Sequence, residues 1–105
     1  MSFWLKNVPQ NLKVISDSPD FTLYYMIAGT SEFIEITEPK IFLGDSLYTI
    51  EKTFSEVGTY LIKLKHNATS EVKYNELKVI TQEEFMKVNT DYSVKYSGAY
   101  LNFGN

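Results

Sequence analysis

The sequence contains no cysteine and one histidine, His66. The first absence excludes a disulfide scaffold, a thiolate zinc site, an iron–sulfur cluster and a cysteine nucleophile. The second excludes a histidine-rich metal centre and leaves any catalytic triad a single candidate base. Basic residues are also scarce: 10 Lys and Arg stand against 13 Asp and Glu, for a formal charge of −3. No basic stripe is present to follow a phosphate backbone, so a nucleic-acid partner is not expected. Long apolar runs are missing. The longest, residues 23–29, falls far short of the roughly 20 residues that cross a bilayer, so no membrane partner is expected either. After Phe3-Trp4-Leu5 the chain turns polar at Lys6-Asn7, before the apolar run of about 7–15 residues that a secretion signal requires. The expectation is a soluble protein that stays where it is made or is released by lysis. Asn67-Ala68-Thr69 fits the glycosylation pattern but reads as a turn. A phosphate loop, a dinucleotide fingerprint and a nucleophile elbow are absent. No cofactor is implied.

What is present is a single-domain length, 105 residues, with 44% apolar side chains, enough to bury a core without a metal or a disulfide. Hydrophobicity repeats every second residue. Residues 12–15 are a plausible first strand. Residues 21–28 are apolar on both faces and rich in strand formers, as suits a central strand. Residues 33–37 give another candidate. Over residues 48–54, Tyr48, Ile50 and Phe54 fall on one side, with Thr49, Glu51 and Thr53 on the other. Over residues 59–65, Tyr60, Ile62 and Leu64 alternate with Lys63 and Lys65. Both are patterns of half-buried strands. Residues 66–71 read as a polar hairpin turn. In residues 72–80 the parity breaks: Val72 and Tyr74 share one face, while Leu77 and Val79 fall on the other. An extra residue near Asn75-Glu76 would restore register, which predicts a β-bulge there. Short strands at this spacing, joined by Gly, Pro, Asp and Asn turns, indicate an all-β antiparallel sandwich over residues 1–80.

Residues 42–80 carry a resemblance. Gly58-Thr59-Tyr60 opens an alternating strand, and Tyr60 stands two residues before Ile62, where an antibody domain has its second cysteine. This resembles the tyrosine corner, in which a phenol bonds back to the main chain and pins a crossover between sheets. The string from Thr53 to Leu64 is similar to the end of PKD-type immunoglobulin-like domains. The resemblance implies an immunoglobulin-like sandwich, with Gly58, Tyr60 and Ile62 in structural roles. The acidic Trp-Asp signature of that family is missing, and only Phe42-Leu43-Gly44-Asp45 faintly echoes it. Without the disulfide, residues such as Leu23 or Tyr25 are expected to fill the space around Ile62.

After residue 80 the pattern changes. Thr81-Gln82-Glu83-Glu84 fits a capping box and predicts a short helix over 82–89 with Phe85, Met86 and Val88 on one side. An extended C-terminal arm follows. Tyr92, Val94, Tyr96, Gly98 and Tyr100 share one parity, Ser93, Lys95, Ser97 and Ala99 the other, and Leu101 and Phe103 come next. Three of the eight tyrosines lie in the last 14 residues, whereas disordered tails are poor in aromatics. Such an arm either adds a strand to its own sandwich or docks on a neighbour by strand addition. Its candidate interface anchors are Tyr92, Tyr96, Tyr100, Leu101 and Phe103, with Phe3 and Trp4 second. The competing reading for Trp4 is a core residue.

Catalytic chemistry finds little purchase. His66 reads as a solvated hairpin residue. Candidate carboxylate groups, Glu32 with Glu35 and Glu38, Asp17 with Asp20, and Glu83 with Glu84, read as scattered surface charge. A calcium loop at Asp17–Asp20 with Asp45 opposite lacks the six to eight oxygens calcium takes. The expectation is therefore a non-enzymatic structural or interaction protein. Its small acidic sandwich with chain extensions resembles accessory modules of bacteriophage virions, which decorate capsids or join neck, tail and baseplate. That resemblance implies other virion proteins or copies of itself as partners, and the virion, or otherwise the cytoplasm, as location. The alternative is a carbohydrate-binding module using Tyr24, Tyr48 or Tyr74 as a stacking platform.

Overall fold

The alternating segments fold as two facing sheets in the computed structural model, which describes residues 2–88. In chain order the elements are β1 (Ser2–Leu5), β2 (Gln10–Ile15), β3 (Phe21–Ile27), β4 (Ile34–Ile36), β5 (Ile41–Gly44), β6 (Leu47–Lys52), β7 (Gly58–His66), β8 (Val72–Ile80) and α1 (Gln82–Val88). One sheet has the order β1-β8-β7-β3-β4 and the other β2-β6-β5. The pairs are antiparallel except β1 with β8, which is parallel. The chain changes sheet at the links β1–β2, β2–β3, β4–β5 and β6–β7. Within a sheet, a tight turn joins β5 to β6, while longer loops, residues 28–33 and 67–71, join β3 to β4 and β7 to β8.

The inward parity predicted for β7 is observed: Tyr60, Ile62 and Leu64 are buried, as are Leu12 and Val14 on β2 and Ile50 on β6. These side chains form one core with Trp4, Phe21, Leu23, Phe54, Leu77 and Val79. Leu23 and Tyr25 lie opposite Leu64 and Ile62 in the β3–β7 ladder. Apolar side chains thus fill the space around Ile62. Trp4 meets Phe54 edge-on at 5.5 Å, a favourable geometry for two ring quadrupoles.

The structure corrects several expectations. No bulge interrupts β8: its pairing with β7 runs unbroken from Gly58 opposite Val79 to Lys65 opposite Val72. The apparent parity break has another cause. Val72 and Tyr74 lie on the outer face and are exposed, so two different faces carry apolar residues at the two ends of one regular strand. The bulge sits instead in β5, between Phe42 and Gly44. Trp4 is completely buried, so it belongs to the protomer's own core and is no surface anchor. The segment Ser2–Leu5 is itself a strand. Thr81 caps α1 by accepting the Glu84 amide at 3.2 Å, but the Glu84 carboxylate accepts from the Thr81 hydroxyl at 3.3 Å rather than from the main chain. Met86 is exposed while Phe85 is half-buried, because residues one apart point about 100° away from each other on a helix.

The β5–β6 turn places both Asp45 and Ser46 at positive φ, 51° and 63°. A two-residue hairpin whose twist matches its strands requires that geometry, and neither residue is glycine.

Candidate functional site

Four places on the fold concentrate side chains that could do something: the inter-sheet corner, the outer face of the larger sheet, the loop end, and the free edge of β5. The corner is built by Tyr60. Its phenol donates to the carbonyl of Glu56 at 2.7 Å, tying the start of β7 to the link that brings the chain across from β6. Phe54 and Tyr25 pack on the ring at 4.5 and 6.0 Å between centroids. Burial, with the charge of Glu56 and the neighbouring Tyr25, pushes the Tyr60 hydroxyl above its ordinary value despite that bond. Gly58 takes φ 145° as the strand begins. Lys52, at the inward parity of β6, is paired with Glu38 at 2.9 Å and lies 5.3 Å from the Tyr25 ring centroid. Burial works against the Glu38 carboxylate, yet the Lys52 hydrogen bond, main-chain bonds and the Lys52 charge together hold it below the usual range.

On the outer face, the ladders align Glu35, Tyr24, Lys63 and Tyr74 in one row across β4, β3, β7 and β8. The Lys63 ammonium sits 4.4 Å from the Tyr24 ring centroid and 4.3 Å from that of Phe33. Phe33 and Tyr74 are 6.2 Å apart. This matters for sugar stacking, because a cation already covers the faces of Tyr24 and Phe33. Tyr48 is buried between Phe21 and Phe42, at 5.4 and 5.0 Å. Of the three tyrosines considered for a platform, only Tyr74, 53% exposed, presents its ring to solvent.

At the loop end, Ser16, Asp17, Ser18, Asp20, His66, Thr69 and Glu71 line a shallow cleft. The loops are held from within: the Asn67 amide donates to Asp20 at 3.2 Å and to Thr22 at 3.1 Å, and the Ser16 hydroxyl donates to the Ser18 carbonyl at 2.8 Å. His66 is not the solvated residue expected, since it is half-buried and its Nε2 is shielded without a partner. Among the described residues no group of three or more His, Asp or Glu side chains could hold a metal ion. Glu38 is engaged by Lys52 and Glu35 faces the outer row, so the acidic residues of the 32–38 region do not converge.

The free edge of β5 was missed by pattern reading. Ile41, Phe42 and Leu43 are 53%, 59% and 59% exposed, three large apolar neighbours on a strand paired on one side only. The available signal was the uncharged run between Pro39-Lys40 and Gly44-Asp45, too short to show a period. Phe3 is half-buried on β1. Tyr92, Tyr96, Tyr100, Leu101 and Phe103 lie outside the described residues.

No family model matches the chain, and neither does any curated protein. Among solved structures it is similar to a Bacteroides vulgatus protein provisionally assigned as a glycoside hydrolase, with a TM-score of 0.53 and 9% identity over 77% of this chain. The chain spans only 16% of that protein's length. At such identity the likeness is one of fold: a β-rich body of two sheets. Among the described residues no helix is long and apolar enough to cross a membrane.

Proposed function

We propose that this chain is a non-enzymatic interaction module, a component of a bacteriophage virion that decorates the capsid or joins neck, tail or baseplate parts. Its body is read as an immunoglobulin-like, PKD-like sandwich. The strand order supports that: β3, β7 and β8 face β2, β6 and β5 as strands C, F and G face B, E and D in such domains. The Tyr60–Glu56 bond at the crossover supports it too. The observation that carries the functional reading is the distribution of exposed apolar residues. The titratable side chains are dispersed or engaged, whereas three consecutive large apolar side chains stand open on an edge strand. An edge of that kind is a template for another chain. Tyr92, Tyr96, Tyr100, Leu101 and Phe103, with Phe3, serve as the aromatic and aliphatic anchors, since interface cores are rich in such residues. The partners are other virion proteins or further copies of the chain. A chain ending at Asn89 tests the assignment. It should melt within a few degrees of the full chain and fail to co-assemble; a collapse in melting temperature would make the arm an ordinary core strand.

A second reading, a carbohydrate-binding module, rests on the exposed Tyr74 ring beside Phe33. One open ring makes a small platform, which is why this reading comes second. Saturable glycan binding abolished by Tyr74→Ala would establish it.

A further inference from the structure

We infer that the outer edge of β5 accepts a strand, and that its occupant is residues 91–101 of a second copy of this chain. The inference rests on the docking role proposed for the C-terminal segment and names where it docks.

The acceptor is a four-residue edge strand with a bulge between Phe42 and Gly44; what it lacks is a guarding charge. β5 is bonded to β6 alone, with Ile41 opposite Thr49 and Phe42 opposite Tyr48. In an antiparallel edge strand alternate main-chain amides and carbonyls face away from the ladder. Proteins guard such edges with charges, above all lysine. Among the other edges, β4 carries Glu35 and β2 carries Lys13. β1 is uncharged, but its side chains are buried or half-buried and α1 packs beside it. β5 has no charged residue. The lysine next to it is turned away: Lys40 donates to the Pro19 carbonyl at 2.7 Å and to the Phe21 carbonyl, with its ammonium 4.4 Å from the Phe21 ring centroid. The guard that could discourage pairing is held by carbonyls at the start of β3, and burial lowers its pKa against the pull of Asp20 and Glu35.

The donor has matching chemistry. In residues 91–101, Tyr92, Val94, Tyr96, Gly98 and Tyr100 alternate with Ser93, Lys95, Ser97 and Ala99, and the segment contains no proline. Their only charges are Asp91 and Lys95, so the segment is neutral and meets an uncharged edge without repulsion.

Geometry selects a second copy. The chain leaves the described residues at the end of α1, beside β1. β5 follows directly from β4, the strand at the opposite end of the five-stranded sheet. Four strand spacings separate those flanks, about 19 Å at roughly 4.8 Å each. The point where the chain leaves the described residues and the acceptor edge are therefore on opposite flanks, the arrangement of a heterologous head-to-tail contact. Residues 89–105 extend at most about 55 Å at roughly 3.3 Å per residue, ample to leave one protomer and lie along a short strand of the next. Pairing within one copy requires the segment first to cross the width of the sandwich.

The test uses full-length chains and light scattering across a concentration series. The wild type should gain mass with concentration. Ile41→Lys/Leu43→Lys blocks the acceptor, and Val94→Pro/Tyr96→Pro blocks the donor. Each alone should remain monomeric with a melting temperature near wild type, and an equimolar mixture should give a 1:1 heterodimer, because each supplies what the other lacks. If the double lysine variant fails to fold, Leu43→Lys alone serves in its place. A folded acceptor variant that still associates like the wild type overturns the β5 assignment, and leaves the docking role standing if the donor variant is monomeric. A wild type that stays monomeric overturns the second copy as occupant. A donor variant that associates like the wild type overturns both the inference and the reading beneath it.

Discussion

Tyr60→Phe isolates one atom of the fold. The residue is buried, its ring packs against Phe54 and Tyr25 at 4.5 and 6.0 Å, and phenylalanine keeps those contacts. What is lost is the hydroxyl and its 2.7 Å bond to the Glu56 carbonyl. The net value of such a bond is about 1 kcal/mol, with a further contribution of the same order if the carbonyl is left dry. Glu56 is itself exposed, so water can reach its peptide and the loss should stay near about 1 kcal/mol. For a domain of this size that is roughly 4–8 °C in melting temperature. Urea denaturation is the assay: the midpoint should fall with the slope unchanged, since the same surface is exposed on unfolding. Tyr74→Phe, on the outer face, is the control and should lie within about 0.5 kcal/mol of wild type. The pH dependence carries a second signature. The Tyr60 hydroxyl is held above its ordinary value of 10.0, so its contribution is complete below that value and is lost as pH rises through the folded one. Tyr60→Phe should flatten part of the alkaline loss. A variant as stable as wild type at neutral pH would refute the claim that this bond pins the crossover.

Further expectations follow from other contacts. Glu38 is held below its ordinary 4.5, so its stabilising pairing with Lys52 is present above that value and fades as pH falls through the lower folded one. Glu38→Gln should lose stability at neutral pH and show a shallower acid limb in denaturation curves taken between about pH 5 and 3. Ser46→Gly should raise stability by about 0.5–1 kcal/mol, because Ser46 pays the left-handed backbone cost at φ 63°; calorimetry showing no gain would contradict the turn assignment. Leu77→Ala should cost about 2–5 kcal/mol by opening a cavity where β8 meets the core, whereas Val72→Ala on the outer face should cost under about 1 kcal/mol, a contrast that a bulged β8 would not produce.

Long strands were legible in the sequence, because alternation over β6 and β7 repeats often enough to define inside and outside. The corner was legible because Gly58, Tyr60 and Ile62 stand at a diagnostic spacing. β1 and β5 were not, since four residues cannot show a period and their place depends on partners distant in the chain. β8 misled for a related reason: a strand that extends beyond its covering sheet carries apolar residues on both faces without any irregularity. The same blindness hid the candidate site. Exposure of Ile41, Phe42 and Leu43 follows from β5 being last in its sheet, and only the topology places it there. Trp4 likewise reads as anchor or core until β1 is set beside β8.

Amide hydrogen exchange on the full-length chain, followed as its concentration rises, tests the central claim most directly. The account predicts that amides of residues 91–101 and of β5 gain protection together as the chain is concentrated, while those of β3 and β7 stay protected throughout. Protection of residues 91–101 that is strong and unchanged on dilution would contradict it.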